Sequence, residues 1–348
     1  MTSANSRKND LPVGPNAKTL GFAVVGCGRV APTHFEAIQN LGRAGKLVAV
    51  CDHDDAALAP ATRRTGADGF DSLPEMLRRD DIDVVSVCTP SGCHAAHGIL
   101  AAKAGKHVLV EKPMDVTLEA ARELKQTCAD QGVKLFVVKQ NRLNSTLQLT
   151  KAALEAGRFG KLYAINANLI WSRPQDYYAS ASWRGTRAMD GGAFMNQDIH
   201  FVDAMRFLGG EIVEVQSMLA TLARQIECED IGSALFRFEN GALGNVFVTM
   251  LGISDMEGSL TLIGERGLVK IGGVAMNTIE TWQFEEPNPE QDALAKDANY
   301  HTASVYGNGH KAFYKQVATH LQGDGPLPAG GVEGLRSLEA ILRIYRKI

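Results

Sequence analysis

One lysine lies where a proton-transferring side chain is useful. Residues 107–110 form a short apolar run, and Glu111, Lys112 and Pro113 follow it directly. Because proline cannot extend a strand ladder, we expect the strand to end there. A lysine at the carboxyl end of a buried parallel strand lies where open α/β sheets bind ligands, and burial lowers its pKa toward that of a general base. The alternative is a solvated lysine in a strand-to-helix loop.

A histidine further along the chain is the second candidate. Gly191 and Gly192 precede an apolar-periodic run, a pattern that predicts a helix. On that helix Asn196 and His200 are four residues apart and share a face, and Asp203 follows one turn later. His200 could accept a proton beside Lys112, and Asp203 could fix its tautomer. The alternative is a histidine that is hydrogen-bonded within the core.

The N-terminal part of the chain carries a dinucleotide pattern. An apolar run, residues 20–25, breaks at a GxGxxA sequence, residues 26–31. Its first glycine permits a tight turn, its second lets the backbone approach a pyrophosphate, and the small last residue allows close helix packing. The next apolar strand ends in Asp52, whose carboxylate accepts from both ribose hydroxyls and repels a 2′-phosphate. The pattern predicts NAD over NADP; a structural glycine turn is the alternative.

Several more residues are expected at the same sheet edge. Thr89, Pro90 and Ser91 follow a third strand, and His94 and His97 share the face of the helix behind it. Two histidines at this spacing can bind a metal, but the sequence offers no evident third ligand, so we predict packing or a cofactor contact and no metal. The expected cofactor-binding residues are Gly26, Gly28, Arg29, Val30, Asp52, Thr89, Pro90, Ser91, His94, Glu111, Lys112 and Gln140.

The predicted fold class is α/β with two domains. Apolar strands at 20–25, 47–51, 84–88, 107–110 and 133–138 alternate with helices at 95–104 and 117–131, which predicts a doubly wound parallel sheet. After a long strand at 162–171, further strands come in hairpin order at 211–222, 231–238, 243–251, 259–263 and 268–271, with turns at 240–241 and 264–267. This pattern predicts a C-terminal α+β domain with a large open, mostly antiparallel sheet.

The predicted boundaries divide the chain into three parts. Residues 1–18 are polar and predict a disordered arm, residues 19–142 the NAD-binding domain, and residues 143–348 a domain for substrate and oligomerisation. Residues 285–299 are polar and predict a mobile loop. A closing helix at 332–346 is expected to end the chain and to pack back on the N-terminal domain.

Composition excludes several classes of protein. The 348 residues are 45% hydrophobic and 22% charged, as in ordinary soluble globular proteins. A formal net charge of -3 gives no electrostatic footprint for nucleic acid or an anionic membrane. We find neither a signal peptide nor an apolar run of transmembrane length. The six cysteines form no CxxC pair, which indicates reduced thiols and a cytoplasmic protein.

Some C-terminal strands are apolar on both faces. Val246, Val248 and Met250 alternate with Phe247 and Leu251, so one face is expected to pack on helices and the other on a partner subunit. The sequence therefore predicts a homo-oligomer, most simply a tetramer.

These motifs together resemble the Gfo/Idh/MocA oxidoreductase family. The resemblance rests on GxGxxA with Asp52, on Glu111-Lys112-Pro113 and on the glycine-led helix with His200, and it covers nearly the whole chain past the arm. More narrowly, six segments are similar to UDP-N-acetyl-2-amino-2-deoxyglucuronate dehydrogenases: residues 139–142, 155–161, 183–186, 192–197, 226–230 and 306–310.

The resemblance implies a function and roles for residues. The family implies a Rossmann domain and hydride transfer between a sugar carbinol and nicotinamide. The subgroup implies oxidation of the 3-hydroxyl of a UDP-linked N-acetylglucosaminuronate, a step toward bacterial surface polysaccharide such as lipopolysaccharide. Lys112 and His200 match the family's catalytic lysine and histidine, and either could accept the hydroxyl proton. Asn196 stands where the family most often has aspartate, and an amide can orient a group but cannot take a proton.

Substrate anchoring is expected from cationic and aromatic side chains, because guanidinium groups grip carboxylate or phosphate in a bidentate manner. A surface arginine or a core tryptophan is the alternative for each. Residues 307–310 could add a backbone anion site, or could simply form a turn and helix cap. The expected substrate-binding residues are Arg142, Arg173, Tyr178, Trp183, Arg184, Asn196, His200 and His310.

Two other functions compete with this hypothesis. One is another enzyme of the same family, such as a free-sugar or inositol dehydrogenase or a keto-sugar reductase, because fold and motifs are shared. The other is a non-catalytic NAD-binding sensor, against which the presence of both Lys112 and His200 argues.

Overall fold

The computed structural model describes residues 18–302, 305 and 307–346. Almost all of the predicted N-terminal arm, and Tyr306 of the last motif, lie outside the described residues. Within the described part, no helix is long and apolar enough to cross a membrane. The six cysteines are free thiols, four of them buried and two half-buried.

The first sheet has six parallel strands in the order β3-β2-β1-β4-β5-β6. Its central strands are buried on both faces, which explains their continuous apolar runs. The strands are β1 Leu20–Val25, β2 Gly45–Cys51, β3 Asp68–Phe70, β4 Val84–Val87, β5 His107–Val110 and β6 Leu135–Val137, and the helices among them are α1 Ala31–Gln39, α2 Asp55–Thr65, α3 Leu73–Met76, α4 His94–Lys103 and α5 Leu118–Asp130.

The predicted doubly wound sheet is therefore confirmed. The strand order reverses between β1 and β4, and this switch point opens a crevice beyond their carboxyl ends. Sequence reasoning missed β3, because Asp68–Phe70 is short, partly exposed and not apolar.

The second sheet has seven strands in the order β13-β12-β11-β7-β10-β9-β8. The strands are β7 Leu162–Ile170, β8 Ile212–Ala220, β9 Ile231–Phe238, β10 Leu243–Thr249, β11 Glu257–Gly264, β12 Gly267–Gly272 and β13 Thr278–Phe284. The accompanying helices are α6 Ser145–Glu155, α7 Gln175–Ala179, α8 Ile199–Gly209, α9 Pro289–Asp297, α10 Gly309–Leu321 and α11 Gly331–Ile344. All pairings are antiparallel except that of β7 with β10, which makes the sheet mixed, mostly antiparallel as predicted.

The segment predicted as a mobile loop, residues 285–299, instead contains a helix. α9 has a capped start, because the side chain of Asn288 accepts from the N–H of Gln291 and Pro289 is the first helical residue. Acidic residues occupy its first turn and Lys296 its last. The prediction was wrong because it relied on the polarity of the segment, which an exposed helix shares with a loop.

The last two long helices join the sheets. Phe313, Tyr314 and Val317 of α10 are buried in the core of the first sheet. This helix follows residues 307–310, one of whose two interpretations was a turn and helix cap, and Asn308 is its N-cap residue. α11 packs against α5 and β6 of the first sheet and against α8 and β8 beside the second. The domain boundary at residue 142 remains a prediction, and the closing helix lies against both sheets.

Candidate active site

The turn after β1 has the shape that a dinucleotide requires. Gly26 has a φ of 89°, and a Cβ there would lie 2.6 Å from the backbone of Cys88, so glycine is needed. At Gly28 a Cβ would meet no described atom within 4 Å, which leaves open space beside the backbone. Val30 is the N-cap residue of α1, just after this turn, and its side chain makes no capping hydrogen bond. The guanidinium of Arg29 lies 5.6 Å from the ring centroid of Tyr177 in the second domain.

Asp52 is fixed at this turn. Its Oδ2 accepts from the N–H of Cys27 at 2.7 Å, and its Oδ1 accepts from the N–H of Asp54 at 3.0 Å. The side chain is 12% exposed, so it remains accessible from the crevice. The carboxylate therefore lies beside the glycine turn, where the ribose hydroxyls of a dinucleotide are recognised.

The loop after β4 forms the wall of the crevice on the other side of β1 from Asp52. The hydroxyl of Thr89 is 2.9 Å from His97 Nδ1, Ser91 starts a short 3₁₀ turn after Pro90, and the N–H of Gly92 donates to the carbonyl of Met189. This loop therefore contacts the second domain directly.

His94 holds two loops together and does not face the crevice. Its Nδ1 is 2.6 Å from the carbonyl oxygen of Pro113, and its Nε2 is 2.8 Å from that of Thr89. The predicted cofactor contact from His94 is replaced by a structural one, because both ring nitrogens already face backbone acceptors. A metal shared with His97 is disfavoured for the same reason.

Lys112 lies at the meeting point of the two domains. It follows β5, is half-buried, and its peptide bond to Pro113 is cis. Its Nζ donates to the main-chain carbonyl of Asn196 at 2.7 Å. Burial lowers the pKa of Lys112, while the carboxylates of Glu111 and Asp190 oppose that shift. The expected position at the strand end, beside the helix of His200, is what the structure shows.

Glu111 points away from the crevice, into a buried cluster. Its Oε1 lies 3.0 Å from Nε2 of His34 and 3.3 Å from Nε2 of His310, and its Oε2 accepts from the N–H of Lys112. His34 Nδ1 in turn lies 2.7 Å from the hydroxyl of Tyr314. Burial alone would raise the pKa of Glu111, but the hydrogen bonds from His310 and His34 outweigh it, and the pKa lies well below its usual value.

This cluster corrects two sequence expectations. Glu111 was expected at the cofactor and His310 at the substrate, yet both are buried and face each other. Among the described residues, His34, Glu111 and His310 are also close enough to hold a metal ion. The hydrogen bonds account for this spacing without one, because an ionised carboxylate accepts from two imidazole N–H groups.

The helix that carries His200 starts with one wide turn. Residues Phe194–Asp198 are a π-helix, and α8 continues from it. Such turns are rare and are often found at functional sites. His200 is half-buried, and its pKa lies well below the usual value because of burial and the positive charge of Lys112. His200 is therefore neutral near pH 7 and can donate or accept one hydrogen bond.

Asp203 does not have the predicted role of fixing the tautomer of His200. Its carboxylate accepts two hydrogen bonds from Arg142, at 2.7 and 2.8 Å, and one from Ser337. Lys139 Nζ is 3.2 Å away. This network also disfavours Arg142 as a substrate ligand, because its guanidinium is bound to Asp203 and to Glu333. From sequence alone, an arginine that is buried in an ion pair cannot be distinguished from an arginine that binds a ligand.

Asp190 is a site residue that sequence reasoning missed. It is 3% exposed, its Oδ2 accepts from the N–H of Gly185 at 2.7 Å, and its Oδ1 accepts from the amide of Asn196. Burial raises its pKa, and these two hydrogen bonds oppose the rise. The available signal was its position before Gly191 and Gly192, whose φ values of 85° and 102° form the turn into the helix.

The expected substrate ligands of the second domain lie around one aromatic group. Arg184 lies over the rings of Tyr177 and Trp183, 4.4 and 4.5 Å from their centroids, and donates to the hydroxyl of Tyr177. Arg173 is buried, donates to Asp255 at 3.0 Å and contributes positive charge at Lys112. Tyr178 is buried beneath them and lines the same narrow cavity as Asp190 and Asn196.

Two more buried polar groups lie close to this site. Gln140 is buried at the end of β6, and its Oε1 has no hydrogen-bond partner among the described residues, so it can still accept from a ligand. Asp198 is completely buried, and within the described part of the chain neither carboxylate oxygen is hydrogen-bonded. Burial and the nearby Glu229 raise the pKa of Asp198 well above its usual value.

Comparison with known families covers both domains. A family model described as "Oxidoreductase family, NAD-binding Rossmann fold" matches residues 20–139. A second one, "GFO/IDH/MocA C-terminal domain", matches residues 147–270.

Individual proteins are similar over different lengths. The WlbA dehydrogenase of Bordetella pertussis, solved with NADH and UDP-GlcNAcA, is 46% identical, with a TM-score of 0.91 over 95% of each chain. The WlbA dehydrogenase of Chromobacterium violaceum, solved with the same molecules, is 45% identical, with a TM-score of 0.90 over 95% of this chain and 94% of that one. The 1-carboxy-3-chloro-3,4-dihydroxycyclohexa-1,5-diene dehydrogenase of Comamonas testosteroni is 31% identical over 65% of this chain, and the match spans only 57% of its length.

Proposed function

The chain belongs to the Gfo/Idh/MocA oxidoreductase family, and we propose that it oxidises the 3-hydroxyl of a UDP-linked N-acetylglucosaminuronate with NAD. The observation that carries this proposal is the position of Lys112, at the cofactor edge of the first sheet and hydrogen-bonded to the helix of His200. The similarity to two dehydrogenases solved with NADH and UDP-GlcNAcA supports the choice of substrate.

The residues present fit NAD. The open space at Gly28, the N-terminus of α1 and the fixed carboxylate of Asp52 suit a pyrophosphate and an unphosphorylated adenosine ribose. Thr89, Ser91 and Gln140 offer polar groups along the same edge. When bound there, NAD supplies the hydride acceptor of the reaction.

In the proposed mechanism Lys112 is the base. Its neutral amine takes the proton of the substrate hydroxyl, and Glu111 and Asp190 then stabilise the ammonium that forms. His200 remains neutral, because burial and Lys112 oppose its protonation, and it donates a hydrogen bond to the oxygen that becomes the carbonyl. The amide of Asn196 orients these groups without taking a proton.

Substrate anchoring is proposed for the second domain. Arg184, stacked between Tyr177 and Trp183, offers a guanidinium and aromatic faces that suit an anionic sugar nucleotide. Arg173 adds positive charge near Lys112, where a carboxylate on the sugar ring would be attracted. The positive charge of Arg184 and Arg173 is a local feature of the site, because the chain as a whole carries a net charge of -3.

A substrate panel tests this function. Purified protein is incubated with NAD and either UDP-N-acetylglucosaminuronate, UDP-N-acetylglucosamine, myo-inositol or levoglucosan, and the reduced cofactor is followed by absorbance. We expect turnover of the uronate to exceed that of the others by about 100-fold, because the site must pair the carboxylate. Faster turnover of a free polyol would favour another enzyme of the family, and no turnover at all would favour an NAD-binding sensor.

We also propose that the protein acts as a homo-oligomer, most simply a tetramer, in the cytoplasm. Exposed apolar side chains on the adjacent strands β8, β9 and β10 of the second sheet support assembly: Val213, Met218, Leu235 and Leu243. Six free cysteines suit a reducing compartment. The product would enter surface polysaccharide synthesis. Light scattering that gives a monomeric mass at micromolar concentration would contradict the assembly.

A further inference from the structure

The turn that precedes the helix of His200 presents a carboxylate to the reaction centre. Asp190 lies in this turn and accepts from the N–H of Gly185 and from the side-chain amide of Asn196. The backbone of Asn196 is also bound, because its carbonyl accepts from Lys112 Nζ at 2.7 Å. Asn196 therefore connects the Asp190 carboxylate, through its side chain, with the Lys112 ammonium, through its main-chain carbonyl.

This arrangement gives Lys112 a second counter-charge. Glu111 lies on its own strand end but is already bound by His34 and His310. Asp190 comes from the other domain and lines a narrow cavity together with Asn196. Its carboxylate also interacts electrostatically with Lys112. The two carboxylates therefore act on Lys112 from different domains.

We propose that Asp190 is a positioning residue of the reaction: it orients Asn196 and stabilises the ammonium form of Lys112 from the second domain. The proposal rests on the proposed function, in which Lys112 receives the substrate proton. Asp190 neither takes that proton nor touches the reacting carbon. An amide cannot carry a proton from Lys112 to Asp190, so the link through Asn196 is one of orientation and charge.

The local geometry explains why Asp190 is held so firmly. Gly191 and Gly192 both have positive φ, and a Cβ on Gly192 would lie 2.3 Å from the carboxylate of Glu229. The N–H of Gly185 and the side-chain amide of Asn196 both donate to Asp190, so its carboxylate is already held in place before Lys112 changes charge. The carboxylate is thus preorganised for the charge that develops during proton transfer.

All charged and titratable groups that act on Lys112 must be considered in a test by pH. Glu111 and Asp190 favour its ammonium form, and Arg173 disfavours it. His200 and His310 also interact with Lys112, and burial lowers the pKa of each, so neither adds positive charge near Lys112 above pH 7. Removing Asp190 alone should therefore lower the pKa of Lys112.

The decisive experiment measures the pKa of Lys112 without substrate. The pH dependence of reductive methylation at Lys112 is read by peptide mass spectrometry in the whole protein and in Asp190→Asn. We expect the Lys112 pKa in Asp190→Asn to fall by about one unit, as loss of a nearby opposite charge predicts. With UDP-N-acetylglucosaminuronate, kcat should fall by about 10- to 100-fold and its acid limb should move to lower pH, with KM changed less than about threefold.

Two further variants separate charge from structure. Asn196→Asp adds a carboxylate and should raise the pKa of Lys112, and the double variant Asp190→Asn with Asn196→Asp restores one carboxylate and should regain most of the lost pKa. The control is Asp176→Asn, at an exposed aspartate on α7. This variant should change neither the Lys112 pKa nor kcat. If Asp190→Asn alone does not fold, the double variant is compared with Asn196→Asp, and we expect the lower Lys112 pKa in the double variant because it lacks the carboxylate of Asp190.

Several results would overturn the proposal. An unchanged Lys112 pKa in Asp190→Asn, or equal Lys112 pKa values in Asn196→Asp and in the double variant, would show that Asp190 does not act on the lysine. A loss of stability and activity that the double variant does not reverse would show a purely structural role. Because methylation needs no substrate, failure of the proposed sugar nucleotide as substrate would leave this test intact.

Discussion

Lys112 and His200 are similar in burial but differ in their electrostatic surroundings. Two carboxylates favour the charged form of Lys112, whereas burial and Lys112 itself oppose the charged form of His200. A base gains from neighbours that stabilise its protonated form, and a hydrogen-bond donor to a carbonyl needs only a neutral ring. This asymmetry is the reason to assign proton acceptance to Lys112.

Replacing either residue tests this assignment. Lys112→Met and His200→Ala should each lower kcat by about 100-fold or more, since general acid–base groups contribute on that order. NAD binding, measured by calorimetry, should change little, because neither change touches the glycine turn or Asp52. Near-parental turnover in either variant would contradict the mechanism.

Asp52 should determine the choice of cofactor. Its carboxylate is fixed beside the glycine turn by the N–H groups of Cys27 and Asp54. Asp52→Ser should raise KM for NAD by about tenfold and weaken the discrimination against NADP by a similar factor, because it removes both the ribose acceptor and the repulsion of a 2′-phosphate. The exposed Asp55→Asn is the matched control in steady-state kinetics. If the ratio of NAD to NADP use stays the same in Asp52→Ser, Asp52 does not read the ribose.

At the scale of elements, the Glu111 cluster joins three elements that pack together around the first sheet. His34 comes from α1, Glu111 from the end of β5 and His310 from α10. His310 lies 199 residues after Glu111 in the sequence, yet it completes the hydrogen bonding beneath the loop that carries Lys112. Residues at both ends of the chain therefore determine the position of Lys112.

The Glu111→Gln variant tests that support. A glutamine offers a single acceptor oxygen and adds an N–H₂ group facing His34 and His310, so a buried polar group loses its partner. We expect the free energy of unfolding to fall by about 1–3 kcal/mol in denaturant titrations. The exposed Glu119→Gln on α5 should stay within about 0.5 kcal/mol of the parent. Equal stability of the two variants would mean that the cluster is not hydrogen-bonded as described.

A second buried network joins the segment after β6 to α8 and α11. Asp203 is bound by Arg142, Lys139 and Ser337. Burial opposes its ionisation, but the two cations and the hydrogen bonds hold its pKa below the ordinary 3.8. The folded pKa is lower than the unfolded one. The ionised carboxylate therefore stabilises the fold at pH values above the unfolded pKa, and this stabilisation is lost as the pH falls through the folded pKa.

Asp203→Asn should accordingly be most destabilising near neutral pH. We expect a loss of about 3–5 kcal/mol at pH 7, because Lys139 is left buried without its counter-charge and Arg142 keeps only Glu333. The difference from the parent should narrow as the pH falls below about 4, where the parent begins to lose the same interaction. Denaturant titrations across this range check both statements, with the exposed Asp80→Asn as control. A constant difference across the range would contradict the ion-pair account.

At the scale of the whole molecule, the outer face of the second sheet is the unpartnered surface that assembly would cover. Leu235 on β9 and Leu243 on β10 are 57% and 52% exposed. In the antiparallel pairing Leu235 lies opposite Asn245, which is two residues from Leu243, so the two leucine side chains lie on one face of the sheet. Burying such side chains against a second copy would remove apolar surface from water.

Leu235→Lys should therefore reduce the oligomer to a smaller species. A matched control exists, because Leu327 is also 57% exposed but lies in the connection between α10 and α11, away from this sheet. Light scattering should give a lower mass for Leu235→Lys and the parental mass for Leu327→Lys. The same mass for both variants would place any interface elsewhere.

The sequence by itself determined the features that depend on neighbouring residues. Apolar runs predicted the central strands of the first sheet, GxGxxA and Asp52 predicted the cofactor turn, and Glu111-Lys112-Pro113 predicted a lysine at a strand end. These signals are local because strand burial, turn geometry and strand termination are set by a few consecutive side chains.

Only the tertiary structure decided which buried polar groups are partners. Glu111 finds His34 and His310 at separations of 77 and 199 residues, Arg142 is bound by Asp203, and Asp190 faces Asn196. A buried arginine or histidine must be hydrogen-bonded, but a protein carboxylate and a ligand satisfy that need equally well. The residue types therefore indicated a polar site, and long-range packing determined which of its members remain free to meet a substrate.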